Sequence, residues 1–298
     1  MTSPEVAASG ILVIDKPEGW TSHQVVGRIR RLAGTRKVGH AGTLDPMATG
    51  VQVVGVNRAT RLLGQLMLTD KGYTGTIRLG VSTITDDAEG EVTSRRAVVD
   101  LDHDQLESAL EPLRGDVLQV PSAVSAIKIN GVRSYAKVRA GETVDLAARP
   151  VRVSRLDVIA RRDLTVDGLP TVDLDIEVDC SSGTYIRALA RDLGTALGCG
   201  GHLTALRRTR VGPFGLDQAQ TLEQAADGLA MIGMSDVVRR NFAVLRLTAE
   251  QAAAVRVGRR LPGLALPAEL SALLDPDGEF LALYRQRDAD AVPEAVFV

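Results

Sequence analysis

The sequence predicts a mixed α/β (α+β) protein with a small appendage at its C-terminal end. Three observations lead there. Stretches of helical periodicity and stretches of strand alternation are interleaved along the chain. The texture changes near Leu247, after which Pro262, Pro267 and Pro276 punctuate short apolar segments. No tract shows low complexity or a repeat of solenoid period. At 298 residues, a catalytic body and an appendage can bury roughly three quarters of their unfolded surface without a disulfide or metal. The composition, 45% hydrophobic and 24% charged, is that of an ordinary globular chain, and 3% aromatic content means aliphatic residues and alanine fill the core.

Taken in order, residues 1–10 are expected to be poorly ordered. GILVIDKP is an apolar strand stopped by Pro17. Thr21 or Ser22 can cap a helix whose stripe is Val25, Val26, Ile29 and Leu32, ending near Gly34. VGHAGTLDPMAT is too rich in glycine and turn formers for a regular element, and Val51–Val56 is a compact strand. A helix is expected over Ala59–Leu66, then a half-buried strand over Lys71–Leu79 with Tyr73, Gly75, Ile77 and Leu79 on one face. Asp86, Asp87, Glu89 and Gly90 form a polar break, and Asp104–Leu113 is amphipathic. A turn at Asn130-Gly131 and a helix around Ser134–Ala140 follow. Strands are expected at Val151–Ile159 and Val172–Val178, the latter alternating apolar residues with Asp173, Asp175, Glu177 and Asp179. After SSGT a helix carries Ile186, Leu189, Ala190, Leu193 and Leu197 inward. Further helices fit Leu222–Leu229 and Ser235–Arg240. Thr248 with Gln251 reads as a capping box, and FLALY as a strand. The expected divisions are 11–246 for the body and 247–298 for the appendage.

Composition also excludes. Cys180 and Cys199 fit no ligand or redox spacing and are expected to be reduced and buried, as in a cytoplasmic protein. No basic segment followed by a long apolar run opens the chain, so no signal peptide is expected. No uncharged stretch approaches the roughly 20 residues of a membrane span. P-loop, dinucleotide, paired-cysteine zinc, zincin and nucleophile-elbow patterns are all missing, and His23, His40, His103 and His202 are too scattered to argue for a metal. The formal charge of −2 hides an asymmetry. Lys16 to Asp45 holds six basic residues against two acidic, and Gly200–Gly215 adds Arg207, Arg208 and Arg210 without an acid. Asp86 to Asp116 holds ten acids and three arginines. A basic working face and an acidic back would attract phosphate despite the net sign, although arginines on solvated helix faces give the same count.

Two local features point to chemistry. Asp45 is a lone carboxylate on a glycine-rich loop, followed by Pro46, which drives its backbone toward extended geometry. Taken alone, an aspartate before proline also reads as a turn former. Arg187 stands in the first turn of a helix, where the macrodipole disfavours a cation. A charge set against local preference calls for a specific partner.

GHAGTLDPMATG, Gly39 to Gly50, closely resembles the catalytic motif of the TruB family of tRNA pseudouridine synthases. IDKPEGWTSH (Ile14 to His23), NRATRLL (Asn57 to Leu63), DKGYTGTIRLG (Asp70 to Gly80), DCSSGTYIRALARDLG (Asp179 to Gly194) and GHLTALRRTRVGPF (Gly201 to Phe214) resemble the same family in the same order. The resemblance covers residues 11–215. The tail is similar, more weakly, to the RNA-binding PUA-type domain that follows this catalytic domain. The resemblance implies a pseudouridine-synthase fold with a mixed, largely antiparallel sheet and a small C-terminal PUA-like β-rich domain. It implies isomerisation of uridine-55 to pseudouridine in the T loop of tRNA, by base eversion, glycosidic cleavage and reattachment at C5. Asp45 would be the catalytic aspartate, Tyr73 the residue packed on the base, and Arg187 the partner of the carboxylate. Lys16, His40, Gly42, Thr43, Tyr185, Leu206, Arg207 and Arg208 would bind or shape the site. No cofactor and no obligate protein partner are implied, and a cytoplasmic monomer acting on the tRNA T stem-loop is expected. The chain departs from the pattern at Gln52, where the family has leucine. A tRNA-folding protein without catalysis, or a synthase for another RNA, would use the same surface.

Overall fold

The computed structural model describes residues 8–122 and 146–298, and the backbone of two short strands at 128–129 and 132–133. The expected turn at Asn130-Gly131 and helix around Ser134–Ala140 lie outside the described residues. The chain divides into two compact units, one of residues Met1–Asp45, Val51–Met67 and Gly212–Val298, the other of Pro46–Gly50 and Leu68–Val211.

In the first unit the strand Gly10–Lys16 lies between Ile232–Gly233 and the strand Thr49–Val56, against which Val38–Ala41 also pairs. The helix Ser22–Leu32 packs Val25, Val26 and Ile29 against Leu12, Ile14, Val54 and Val56. Thr21 caps it, accepting from the Gln24 N–H while the Gln24 amide oxygen accepts from the Thr21 N–H. That leaves Ser22 free of the capping role. The expected helix over Ala59–Leu66 is a 3-10 turn, Asn57–Leu62, running into one α-turn, Leu63–Leu66.

The same unit carries the C-terminal sheet, ordered Ala243–Arg246, Leu270–Leu274, Phe280–Arg287, Asp290–Val296. Its first strand precedes residue 247. The helix Ala249–Arg256, opened by the Thr248–Gln251 capping box, buries Ala252 and Val255 against Leu273, Leu281 and Tyr284. Arg58 and Arg61 of NRATRLL donate to the carbonyls of Phe297 and Val296, and the Arg61 guanidinium lies over the Phe297 ring.

The second unit is an antiparallel sheet ordered Gly201–Val211, Lys71–Leu79, Leu169–Cys180, Arg149–Val166, Gly115–Gln119. On Leu169–Cys180 Val172, Leu174, Ile176 and Val178 are buried as expected, but Asp173 of the opposite set is buried as well, paired with Arg78. The intervening acids pair with arginines, Asp173 with Arg78 at 2.7 Å, Glu177 with Arg155 at 2.5 Å, Asp179 with Arg210 at 2.6 Å, and Asp175 with Arg162. Not every arginine of this unit is therefore available to an anionic ligand. The helix Ile186–Ala196 packs over the sheet through Leu189, Ala190 and Leu193. Both cysteines are free and buried, as expected. Among the described residues no helix is long and apolar enough to cross a membrane.

Candidate active site

Asp45 is half-buried in the stretch between the strands Val38–Ala41 and Thr49–Val56. The residue before it is fixed from the helix. The Ser22 hydroxyl, 1% exposed, accepts from the Leu44 N–H at 2.9 Å and donates to the Leu44 carbonyl at 3.2 Å. Gln52, fully buried in the strand Thr49–Val56, donates its amide to the Ser22 carbonyl at 3.1 Å. The departure from the family pattern is thus an internal polar contact. On the N-terminal side Gly42 holds φ +87°, the left-handed region that glycine reaches without strain.

The other expected residues of the first unit include Lys16, His40 and Thr43. Lys16 is fully buried, its ammonium donating to the carbonyls of Pro17 and Trp20 at 2.9 and 2.6 Å, which closes the turn leading into Thr21. His40 stands on its short strand edge-to-face with His23, ring centroids 5.5 Å apart. Thr43 is exposed.

In the second unit, Tyr73 is opposite both Val178 and Arg208 in the sheet, and Gly75 is opposite Ile176 and Leu206. Cross-strand partners share a face, so Tyr73, Leu206 and Arg208 are brought onto one face. The strand Gly201–Val211 departs from regular register twice, after Leu203 and after Arg208. The extra residues are Thr204, whose hydroxyl donates to the Thr76 carbonyl at 3.2 Å, and Thr209. Such bulges re-aim the side chains between them, here Ala205 to Arg208. Thr49 and Gly50, just downstream of Asp45, pair in parallel with Arg207 and Arg208. The Arg207 guanidinium donates to the Thr49 hydroxyl at 3.2 Å. A Cβ at Gly50 would stand 2.2 Å from the Arg208 carbonyl oxygen, and φ is +100° there, so only glycine permits this approach. Arg208 itself is 1% exposed, which leaves Arg207 and Arg210 as the arginines of this strand that reach solvent.

Arg187 is buried in the first turn of its helix. One guanidinium nitrogen donates to the Thr85 carbonyl at 2.9 Å and to the Asp87 carboxylate at 3.1 Å. Asp87 in turn accepts from the Thr85 hydroxyl and from the Glu89 N–H. The acids at 86 and 87 are therefore interior, not part of a solvated acidic back. Asp86 holds φ +59° and pairs with Arg191 at 3.3 Å, and burial pushes its carboxyl pKa upward. Tyr185, preceding the same helix, exchanges two hydrogen bonds with the Gln119 amide through its own backbone, at 2.8 and 3.1 Å. Gln119 thus satisfies helix-start groups that no N-cap side chain reaches.

Sequence reasoning did not place Ser22, Gln52, Gln119 or Asp87 in the site. Asp87 left a signal as the acid that a first-turn arginine calls for, and Gln52 as the departure from the family pattern. Among the described residues no group of three or more histidines, cysteines, aspartates or glutamates could hold a metal ion.

A mixed sheet carrying a loop aspartate, with a four-stranded sheet after it, has close counterparts. The N-terminal domain model of TruB family pseudouridylate synthases matches residues 30–186, the tRNA pseudouridylate synthase B C-terminal domain model matches 187–239, and the tRNA pseudouridine synthase II C-terminal model matches 242–298. Proteins named tRNA pseudouridine synthase B from Cutibacterium acnes and Paenarthrobacter aurescens are 59% and 55% identical. The matches cover 94% of both chains in the first case, and 97% of this chain and 95% of the other in the second. A Streptomyces coelicolor protein of the same name is 51% identical over 100% of both chains. Among solved structures, a chain of a Cbf5-Nop10-Gar1 complex superposes with a TM-score of 0.72 at 28% identity, covering 97% of this chain and 85% of that one. The chain belongs to the TruB family of pseudouridine synthases.

Proposed function

We propose that this protein converts uridine-55 in the T loop of tRNA to pseudouridine, with Asp45 as the catalytic carboxylate. The observation that carries the reading is the family loop itself. Asp45 is held between the Ser22–Leu44 bonds on one side and Pro46 on the other, a carboxylate on fixed backbone.

The product is an isomer of the substrate. The N1–C1′ bond breaks, the detached uracil turns, C5 joins C1′, the C5 proton leaves and N1 gains one. Nothing is oxidised, and no cofactor enters the balance. Asp45 would act at the sugar, either by bonding to C1′ or by stabilising and deprotonating the sugar while uracil is detached. Arg187, positioned by Asp87, would orient that carboxylate. Tyr73 would stack on the everted base, a contact worth about 1–3 kcal/mol in nucleic-acid sites, with Leu206 as an apolar wall. Contacts of this kind repay the unstacking of the target nucleotide. Arg207, with Lys16, His40, Gly42, Thr43, Tyr185 and Arg208, would bind or shape the loop. The enzyme would act as a cytoplasmic monomer on free tRNA.

Site-resolved pseudouridine mapping on unmodified tRNA transcripts tests the substrate. One enzyme-dependent mark in the T loop, reproduced on an isolated T stem-loop, is the expected result. A mark in a different stem-loop would move the substrate, and binding without any mark would replace the enzyme by a tRNA-folding factor.

A further inference from the structure

Gln52 is the odd residue of its strand. Val51, Val53, Val54 and Val56 around it are apolar and buried, and the amide among them is fully buried as well. Its nitrogen donates to the Ser22 carbonyl, whereas its oxygen meets no hydrogen-bond partner in the structure. A half-satisfied amide in such a setting opposes stability, and the leucine of the family pattern would not carry that penalty.

The contact reaches Asp45 through Ser22 and Leu44. Ser22 is not needed as the helix cap, since Thr21 performs that role. Its hydroxyl bonds both backbone groups of Leu44. The Leu44 carbonyl belongs to the same planar peptide unit as the Asp45 nitrogen, so holding it fixes the plane from which the Asp45 side chain departs. Pro46 restricts the backbone on the other side. Gln52 holds Ser22 by its carbonyl, completing a chain from strand to helix to loop.

We propose that Ser22 and Gln52 are positioning residues that set the aim of the Asp45 carboxylate, with Ser22 as the direct clamp and Gln52 as its support. The proposal rests on the reading of Asp45 as the catalytic carboxylate. Both side chains are buried, so their removal should slow the chemical step and leave tRNA affinity alone.

The test compares wild-type protein with Ser22→Ala, Ser22→Thr, Gln52→Leu and Asp45→Asn. For each, the single-turnover rate at saturating enzyme, the tRNA dissociation constant and the melting temperature are measured on one tRNA transcript. Ser22→Ala should lose about tenfold or more in rate, the scale on which small misplacements of reacting groups act. Its dissociation constant should stay within about twofold of wild type, because the lost interaction acts only on the chemical step. Ser22→Thr, which keeps the hydroxyl, should recover most of the rate. Gln52→Leu should melt no lower than wild type and still turn over more slowly, a combination a merely structural amide cannot give. If Ser22→Ala does not fold, the Gln52→Leu result decides. Wild-type rates in Gln52→Leu and in any folded Ser22→Ala, with Asp45→Asn inactive, would overturn the clamp and leave the catalytic assignment standing. Turnover by Asp45→Asn would instead remove the assignment on which the clamp depends.

Discussion

Two eleven-residue helices, Ser22–Leu32 and Ile186–Ala196, are built on opposite principles. The first is held by local devices: a reciprocal Thr21–Gln24 capping box, an apolar stripe, and Arg30 and Arg31 in the last turn where the macrodipole favours cations. The second has no side-chain cap, no cation in its last turn, and a buried arginine at its second position. Its start is held by distant groups, Gln119 on the Tyr185 backbone and Asp87 on Arg187. The start of the first helix is secured by its own neighbours, whereas the second sets a charge against local preference and depends on distant groups for its rescue.

The largest effect should come from removing the rescue. Arg187→Ala leaves Asp87 as an uncompensated interior carboxylate, and breaking a buried pair from one side costs about 3–5 kcal/mol. Denaturant unfolding should register that loss, and turnover should fall far more than the folded fraction does. Unchanged stability would mean that water relieves Asp87 and that the second helix is less dependent than argued.

Thr21→Ala should cost about 1 kcal/mol in chemical denaturation, the usual worth of an N-cap. Turnover per folded molecule should stay at the wild-type level, because the cap is scaffold. A collapse of turnover would break the contrast between the two helices. Gly27→Ala is the converse case. Nothing lies within 4 Å of the added Cβ in the middle of the first helix, so a gain of roughly 0.5–1 kcal/mol is expected, read as a higher denaturation midpoint.

A further effect, read against pH, concerns Lys71, near Arg208. Burial first, and the Arg208 charge second, lower its pKa to about 8. The unfolded chain then holds the proton more tightly, so this residue adds stability as pH rises from about 8 toward the unfolded value of 10.5, and withdraws it below. Lys71→Met should flatten the stability profile across that window. An unchanged slope would contradict the assignment.

How much of this was legible in sequence depends on the range of the interactions. The buried apolar set Val172, Leu174, Ile176 and Val178, the Thr248–Gln251 capping box and the core stripe of the first helix are set by neighbours within a few positions, and they appear as expected. Arg187 was legible as an anomaly, but its Asp87 partner lies 100 residues away. Ser22 and Leu44 are 22 apart and Gln119 and Tyr185 are 66 apart. Pairings at that range leave no periodic trace. The bulges at Thr204 and Thr209 were hidden because alternation reports burial and is silent about register slips. The family resemblance supplied Asp45 and Tyr73 as candidates. It could not supply the internal contact of Gln52, because that residue departs from the pattern.

The central claim is that Asp45 carries the chemistry. Its direct test is single-turnover formation of pseudouridine on T stem-loop RNA by Asp45→Asn, alongside its RNA affinity. An undetectable rate with wild-type affinity is the predicted result, since the substitution keeps shape and removes only the charge. Turnover near the wild-type rate would contradict it and move the reacting group to another residue.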